Sequence, residues 1–405
     1  MNILLIHPNF PAQFRYLAQA LAAAGEHKVV FLTNSRSNSI KGVQKIIYNP
    51  ADNPENKETF AKAQAQGMGV YYRLSRLVND GFQPDLVYTH CGFGASMFVR
   101  QVLPDVPIAG YAEWFFDPQV NLFAEQTSSQ PLKYMQQAQQ RNAVSLLELS
   151  ATDIIICPTQ FQKIQFPESI QAKTVSVYDG VDTQRFKPAG NHKRMRKELL
   201  AKLELQIPEE APIVTYVSRG MEPLRGFPTF AQALIKAQSA RSSFHTLIIG
   251  SEKPHYGSPP EHYSTYVEKY CSNSALDNRR THLTGLIDTE LYAAILQISD
   301  LHIYLTRPFV LSWSLPEAMS TGCRIIASNT APVKEFVKNN EEAHLVDFKN
   351  VNKLAKTTIQ LLDKLGSQDD IAMRKKARKK IVKKYSLKKL LPKQLKILYT
   401  TAASG

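Results

Sequence analysis

The sequence predicts an α/β protein of two successive doubly wound parallel-sheet domains that face each other across a cleft. Three observations predict it. Short, continuously apolar runs alternate with segments of helical spacing along most of the chain. That pattern belongs to parallel strands buried on both faces by helices. The alternation pauses once, over a polar and basic stretch, and then begins again. The 405 residues are ample for two domains of roughly 150 residues each.

In chain order, residues 2–6, 28–32, 86–89, 107–112 and 153–157 read as strands, with helices at 13–24, 58–79 and 132–150. The turn Tyr178-Asp179-Gly180-Val181-Asp182 closes this first half. Residues 187–211 carry Pro188, Gly190 and Pro208 and read as a linker. Strands follow at 213–217, 246–249, 282–284, 301–305 and 324–327, with helices at 228–240, 261–272, 288–298, 315–321, 351–365 and 371–384. The expected division is 1–186, a linker 187–211, 212–384, and a tail 385–405 free to return to the first domain.

The chain holds 49 Lys and Arg against 35 Asp and Glu, a net charge of +14. Such a charge would suit a nucleic-acid binder if it were spread over the surface. It is not spread. Twelve of the cations lie between Arg374 and Lys396 and no acid accompanies them, which leaves the body near +2. No nucleic-acid partner is therefore expected. Met373, Ala377, Ile381 and Tyr385 recur every fourth residue between those cations. The spacing describes a basic amphipathic helix, whose apolar stripe packs on the domain or lies on a membrane. Residues 371–396 are thus a candidate contact for an anionic membrane surface. Pro392 is expected to interrupt the helix before 394–400. The four cysteines, Cys91, Cys157, Cys271 and Cys323, show no metal-site spacing. The N-terminus has no basic flank or long apolar core, and no run approaches the ~18 apolar residues that span a bilayer. The expected location is cytoplasmic, peripheral on the inner face of the membrane.

Three strand–helix junctions can carry chemistry. The first, His7 to Arg15, has no glycine, so a dinucleotide pyrophosphate could not approach its backbone as in G-x-G-x-x-G folds. The second, Ser218 to Pro228, contains Arg219, Gly220, Arg225 and Gly226. Guanidinium forks bind phosphate oxygens, and a helix start adds favourable partial charge. Ordinary surface ion pairs are the alternative. The third runs from Arg307 to Gly322. There Ser314 and Glu317 fit the S-x-x-E capping box, or Glu317 accepts hydrogen bonds from a ribose diol.

Taken together, Ser218-Arg219…Arg225-Gly226, Leu283-Thr284-Gly285 and Leu315-Pro316-Glu317-Ala318-Met319-Ser320-Thr321-Gly322 resemble the GT-B glycosyltransferases of family 4 (group 1). Asp179 to Phe186 and Pro158 to Gln162 support the resemblance, which covers nearly the whole chain. It implies two Rossmann-like domains. It also implies a retaining, metal-independent hexosyltransferase acting on a nucleotide-diphosphate sugar (UDP, GDP or ADP) and a hydroxyl acceptor, either a glycan or a lipid-linked chain. No other cofactor is implied.

In that reading Arg219 and Arg225 hold the donor diphosphate, Arg225 standing where the family usually has lysine. Glu317 binds the ribose. Gly285 and Leu286, with Ile287, frame the base. Gly220 admits the donor, and Val310, Leu311 and Ser312 approach the sugar and distal phosphate. The family's first motif glutamate falls on Phe309 and its glycine on Ser312. A first-domain histidine is replaced by Tyr111-Ala112-Glu113-Trp114-Phe115-Phe116-Asp117-Pro118, where Glu113 takes an acceptor-side role or a structural one. His90, in His90-Cys91-Gly92-Phe93-Gly94, is an acceptor-side candidate or part of a packing turn. Trp114 and Trp313 stack on sugar or pack inside. Asp288-Thr289-Glu290 mimics a metal motif but reads as a helix start. The alternatives to a transferase are a GT-B sugar epimerase and a non-catalytic glycan- or anionic-surface-binding protein.

Overall fold

The structure, a computed structural model, describes residues 1–51, 59–117, 131–271 and 276–404. Glu58 and Ser272, the ends of two expected helices, and Pro118 lie outside the described residues. The chain forms two compact units, one from the described residues up to 179 together with 388–404, the other from 180–387.

The first unit holds a seven-stranded sheet. Its strands are β1 (Asn2–Ile6), β2 (Lys28–Thr33), β3 (Val43–Ile47), β4 (Leu86–Cys91), β5 (Ile108–Ala112), β6 (Ile154–Cys157) and β7 (Thr174–Ser176). They lie in the order β3-β2-β1-β4-β5-β6-β7, and every pair is parallel. β4 is buried along its whole length and β1 from Ile3 to Ile6, which is why both read as unbroken apolar runs. Ile3 sits between Val29 of β2 and Leu86 of β4. Strand order reverses at β1 and β4, so the loops after them part on either side of a crevice at the carboxyl edge.

The second unit repeats the plan with β8 (Ile213–Gly220), β9 (His245–Ser251), β10 (Thr281–Gly285), β11 (Leu301–Tyr304), β12 (Arg324–Ser328) and β13 (His344–Val346). Their order is β10-β9-β8-β11-β12-β13, again all parallel, with the reversal between β8 and β11. Tyr216 stacks on Phe230 at 4.3 Å in its core. Within the stretch expected as a linker, His192–Lys202 forms a helix capped by Asn191, whose Oδ1 accepts the Arg194 N–H at 3.0 Å. Leu199 and Leu200 of this helix pack with Ile213 and Leu247, so the segment is part of the second unit.

The basic tail begins as a helix, Gln368–Lys380, passes through a π turn, Ile381–Tyr385, and continues as the helix Leu387–Ala403. Met373, Ala377 and Ile381 are buried, and Tyr385 stacks on Phe336 at 4.4 Å. The apolar stripe is therefore spent on packing. Pro392 lies inside the last helix and does not interrupt it. It forfeits one backbone bond, while Leu390 and Leu398 stay buried and the Gln394 amide donates to Tyr178 O at 3.0 Å. Asp370, 2 % exposed, accepts from Arg324 Nη1 and Arg374 Nε at 3.1 Å each and from the Gly366 N–H. This buried charge is paired on two sides, so its desolvation is offset. No described helix is long and apolar enough to cross a membrane.

Two predictions concern stability. Asp370→Ala leaves Arg324 buried without its carboxylate and is expected to cost about 3–5 kcal/mol, read from urea unfolding; a loss within error would show the pair to be dispensable. Burial holds the imidazoles of His7, His245 and His344 down to about 4 and that of His302 to about 3. The unfolded chain binds more protons wherever the folded pKa is depressed, so stability falls as pH drops from about 6.5 towards 4. Calorimetry should find Tm lower at pH 5 than at pH 7, with proton uptake on unfolding. A flat profile across that window would contradict it.

Candidate functional site

In the second unit, the loops that leave β8, β10 and β11 all emerge at the carboxyl edge. Arg219, near the end of β8, is exposed. Gly220 is buried, and a Cβ there would lie 2.7 Å from Lys253 O and 2.8 Å from His255 N. The glycine expected to admit a donor is instead required by the chain's own 253–255 loop. Glu222 holds that loop: its Oε2 accepts the His255 N–H at 2.6 Å and the Tyr256 N–H at 2.8 Å. Burial raises the Glu222 carboxyl, and the two N–H bonds oppose the rise. His255 is lowered first by burial and then by the charge of Arg219.

Arg225 does not stand apart from the third segment. Its Nη1 donates to Thr306 Oγ1 at 3.0 Å and to Val310 O at 2.8 Å. Its guanidinium lies 5.4 Å from the Phe309 ring centroid. Phe309 is 2 % exposed and meets Tyr256 edge-on at 5.3 Å. Phe309, expected beside the donor, is thus an internal wedge between the 306–310 and 252–257 loops. Leu311 is buried too, Val310 is half-buried, and the Ser312 N–H is donated to the Tyr304 hydroxyl at 2.9 Å. That bond already occupies the amide the sequence assigned to sugar or phosphate.

Glu317 lies in the first turn of the helix Ser314–Thr321, which Gly322 ends in a left-handed conformation. The capping box does not form. The Glu317 N–H goes to Trp313 O at 3.0 Å, so the helix starts one residue before the position the box requires, and Ser314 is already helical. The Glu317 carboxylate instead accepts the Tyr292 hydroxyl at 2.8 Å. Gly285 ends β10 with φ of +68° and no heavy atom within 4 Å of a Cβ built on it, and Leu286 is 72 % exposed. The expected base-framing segment is therefore open. Trp313 is 43 % exposed. Asp288 caps the helix Thr289–Gln297 by accepting the Leu291 N–H at 2.8 Å, as its helix-start reading expects. Among the described residues no group of three or more His, Cys, Asp or Glu could hold a metal, and the four cysteines are free and buried.

The first unit gathers a second set. Its glycine-free first turn serves hydrogen bonding rather than phosphate approach. The Asn9 N–H donates to His7 Nδ1 at 2.9 Å, which leaves the proton on Nε2. Nε2 then donates to Gln13 Oε1 at 3.0 Å, and the Gln13 amide donates to Glu113 Oε1 at 3.2 Å. Burial keeps His7 neutral, with its pKa at about 4. The Glu113 carbonyl accepts from Gln162 Nε2 at 2.7 Å. Glu113, half-buried just beyond β5, is thus oriented from two sides. His90 is only 2 % exposed; its Nδ1–H donates to Cys91 O at 3.0 Å, and its ring packs on His7 at 4.6 Å and Tyr111 at 5.1 Å. It is a core histidine rather than an acceptor contact. The glycines after it are also taken: Glu148 accepts the N–H groups of Gly92 at 2.6 Å, Gly94 at 3.0 Å and Ser96 at 2.8 Å. Trp114 is half-buried, its ring 6.0 Å from Phe161.

The sequence reading missed His7, Gln13, Glu148, Glu222, Tyr256 and Tyr292. Only the missing glycines of the first turn pointed to any of them. Removing the Arg225 clamp tests the geometry described above. Arg225→Ala should loosen residues 306–310, seen as at least about tenfold faster amide exchange at Val310 and Leu311. Unchanged exchange would mean that the arginine does not position the loop.

Two family models match the chain: one described as glycosyl transferase family 4 group over residues 25–186, the other as glycosyl transferases group 1 over residues 211–364. No curated protein matches in sequence. Among solved structures, the chain is similar to the sucrose-phosphate synthase of Thermosynechococcus elongatus, at 17% identity, TM-score 0.75 and full coverage of both chains. It is similar to a glycosyltransferase of Rickettsia africae at 18% identity and TM-score 0.70, covering 99% of this chain and 98% of that one. It is also similar to HepE of Anabaena in complex with UDP-glucose, at 13% identity and TM-score 0.71, covering 99% and 100%. At these identities the structures speak for the fold, and the two matched models speak for the family. With its two Rossmann-like domains, the chain belongs to the family 4, group 1 glycosyltransferases of the GT-B fold.

Proposed function

We propose that the protein is a retaining, metal-independent hexosyltransferase that moves a hexose from a nucleotide-diphosphate sugar to a hydroxyl of a glycan or lipid-linked acceptor. The observation that carries this reading is Glu317. It is released from helix capping and oriented by the Tyr292 hydroxyl on the same carboxyl edge as the exposed Arg219 and the open Gly285. The carboxylate takes the ribose diol, and Gly285 and Leu286 take the base. Arg219 and Arg225, with the first turn of the helix Ser314–Thr321, stabilise the charge that develops on the leaving diphosphate. The HepE complexes hold UDP and UDP-glucose, so UDP-sugars are the first donors to try. Glu113 serves the acceptor or sugar side, held by Gln13.

Thermal-shift titration with UDP, GDP, ADP and their glucose conjugates should give one responsive nucleotide. Glu317→Ala should weaken it about 10- to 100-fold, the worth of one or two hydrogen bonds to a charged group. No response to any nucleotide would sink the transferase reading. Equal affinity in the variant would return Glu317 to a structural role.

Peripheral attachment to anionic membrane belongs to the same proposal. Lys379, Lys383 and Lys384 are exposed on the tail, and no acid pairs with them among the described residues. Reversing all three to Glu should abolish sedimentation with phosphatidylglycerol vesicles, at roughly 1 kcal/mol per lost charge. Charge reversal is preferred to truncation because the tail is packed into the fold. Unaltered sedimentation would remove the membrane part alone.

A further inference from the structure

The second unit has a cleft of about 500 Å³ on the edge of its sheet opposite the candidate site. It lies where Asp300 leads into β11 and Gly322 leads into β12. No part of the glycosyl-transfer reading uses it. Its size falls within the roughly 300–1,000 Å³ of small-molecule sites.

Its charge is distinctive. Asp300 is paired with Arg196, and Asp370 is shared by Arg324 and Arg374. Both carboxylates are thereby neutralised, with one arginine in excess. Arg378 then adds a charge that meets only neutral acceptors. Its Nη1 donates to Phe186 O at 3.2 Å and to Ser320 O, and it has no carboxylate partner among the described residues. Burial lowers its pKa with no acid opposing. Lys375 is exposed and lines the cleft, as does His192, first residue of the eleven-residue helix His192–Lys202. Pro188, Leu365 and Ile371 supply an apolar side. Three cationic side chains and a helix start lining one cleft match a phosphate dianion rather than a neutral sugar or a cation.

We propose that this cleft binds a phosphate monoester, whose oxyanion meets Arg374, Lys375 and Arg378 and whose organic part lies against Pro188 and Ile371. The monoester chemistry is common to a free sugar phosphate and to a phosphatidic acid headgroup. The proposal does not rest on the donor site.

The test uses the full-length protein and the backbone amide resonances of Gly322 and Gly366, both on the cleft wall. The soluble probes are inorganic phosphate and glycerol 3-phosphate. The lipid probe is phosphatidylcholine vesicles with and without phosphatidic acid. The reporting variant is Lys375→Glu with His192→Glu. Both positions are exposed, and an acid in the first helical turn favours the helix, so the fold is retained. A control, Lys353→Glu with Lys356→Gln, makes the same change in net charge with His192 counted neutral, on the exposed side of the helix Val351–Asp363 and outside both the cleft and the tail lysines. Saturable shifts at Gly322 and Gly366 with the soluble probes are expected, weakened at least about tenfold in the reporting variant and less than about twofold in the control. They should persist in Arg219→Ala, which separates them from phosphate held at the donor loops. Binding seen only with phosphatidic acid vesicles, lost in the reporting variant and kept in the control, assigns the monoester to lipid. Equal loss in both variants would reduce the effect to diffuse charge and overturn the proposal. So would the absence of shifts with every probe.

Discussion

Parallel strand pairing with a single reversal of order is the constraint on which each unit depends. In both sheets every strand points the same way, so every loop after a strand emerges at one edge. The reversal at β1/β4 and at β8/β11 parts neighbouring loops and leaves room for a ligand there. Because β1, β4, β8 and β11 are largely buried on both faces, a slip of register would force the side chains of both faces to repack. The core therefore fixes where Arg219, Gly285 and the 306–313 loop begin, before any polar contact forms. Polar contacts then set the loops relative to one another, Arg225 and Glu222 among them.

The central strands were legible because continuous burial writes itself as continuous apolar sequence. Three of the four edge strands were not; only Thr281–Gly285 was. Val43–Ile47 reads Val-Gln-Lys-Ile-Ile and is half-exposed, while Thr174–Ser176 and His344–Val346 are only three residues long. The helix inside residues 187–211 was hidden by its charge, since Arg196, Leu199 and Leu200 are its only buried residues. For the site, the residues at the strand–helix junctions singled out Glu317 and the arginines, and the family resemblance pointed to Gly285. Spacing left the Ser314–Glu317 pair open because a capping box and a helix one residue longer look alike until Trp313 O takes the Glu317 N–H. Contacts between residues far apart in the chain lay beyond reach: Gln13 meets Glu113 a hundred residues on, and no local pattern records that.

Charge shows the same division between what a sequence counts and what a fold does with it. The tail cations form an unopposed block in the sequence. In the structure Arg374, Lys376 and Lys380 reach acids at Asp370, Glu341 and Glu342, none of them within the tail's own run of cations. Part of the block is thus structural, while the other exposed tail lysines form no ion pair among the described residues. The net charge located the segment correctly but could not separate these roles.

Phe309 brings these strands of reasoning together. A carboxylate at that position is the family expectation, and its replacement by an aromatic looks like loss of function when the sequence is read alone. The structure gives the ring a task. Buried between Arg225 and Tyr256, it joins the loop after β11 to the loop after β9, which Glu222 in turn ties to the end of β8. A glutamate at this buried position would bring a second carboxylate close to Glu222 and would bind Arg225 directly, drawing the guanidinium away from Val310 O and Thr306. Phenylalanine at 309 and arginine at 225 are therefore mutually consistent: the flat guanidinium lies over a ring, as a lysine could do only as a point charge. The two departures from the family pattern are then one departure. Under the proposed function, it leaves the arginine's charge for a diphosphate while removing a carboxylate from the sugar side of the site.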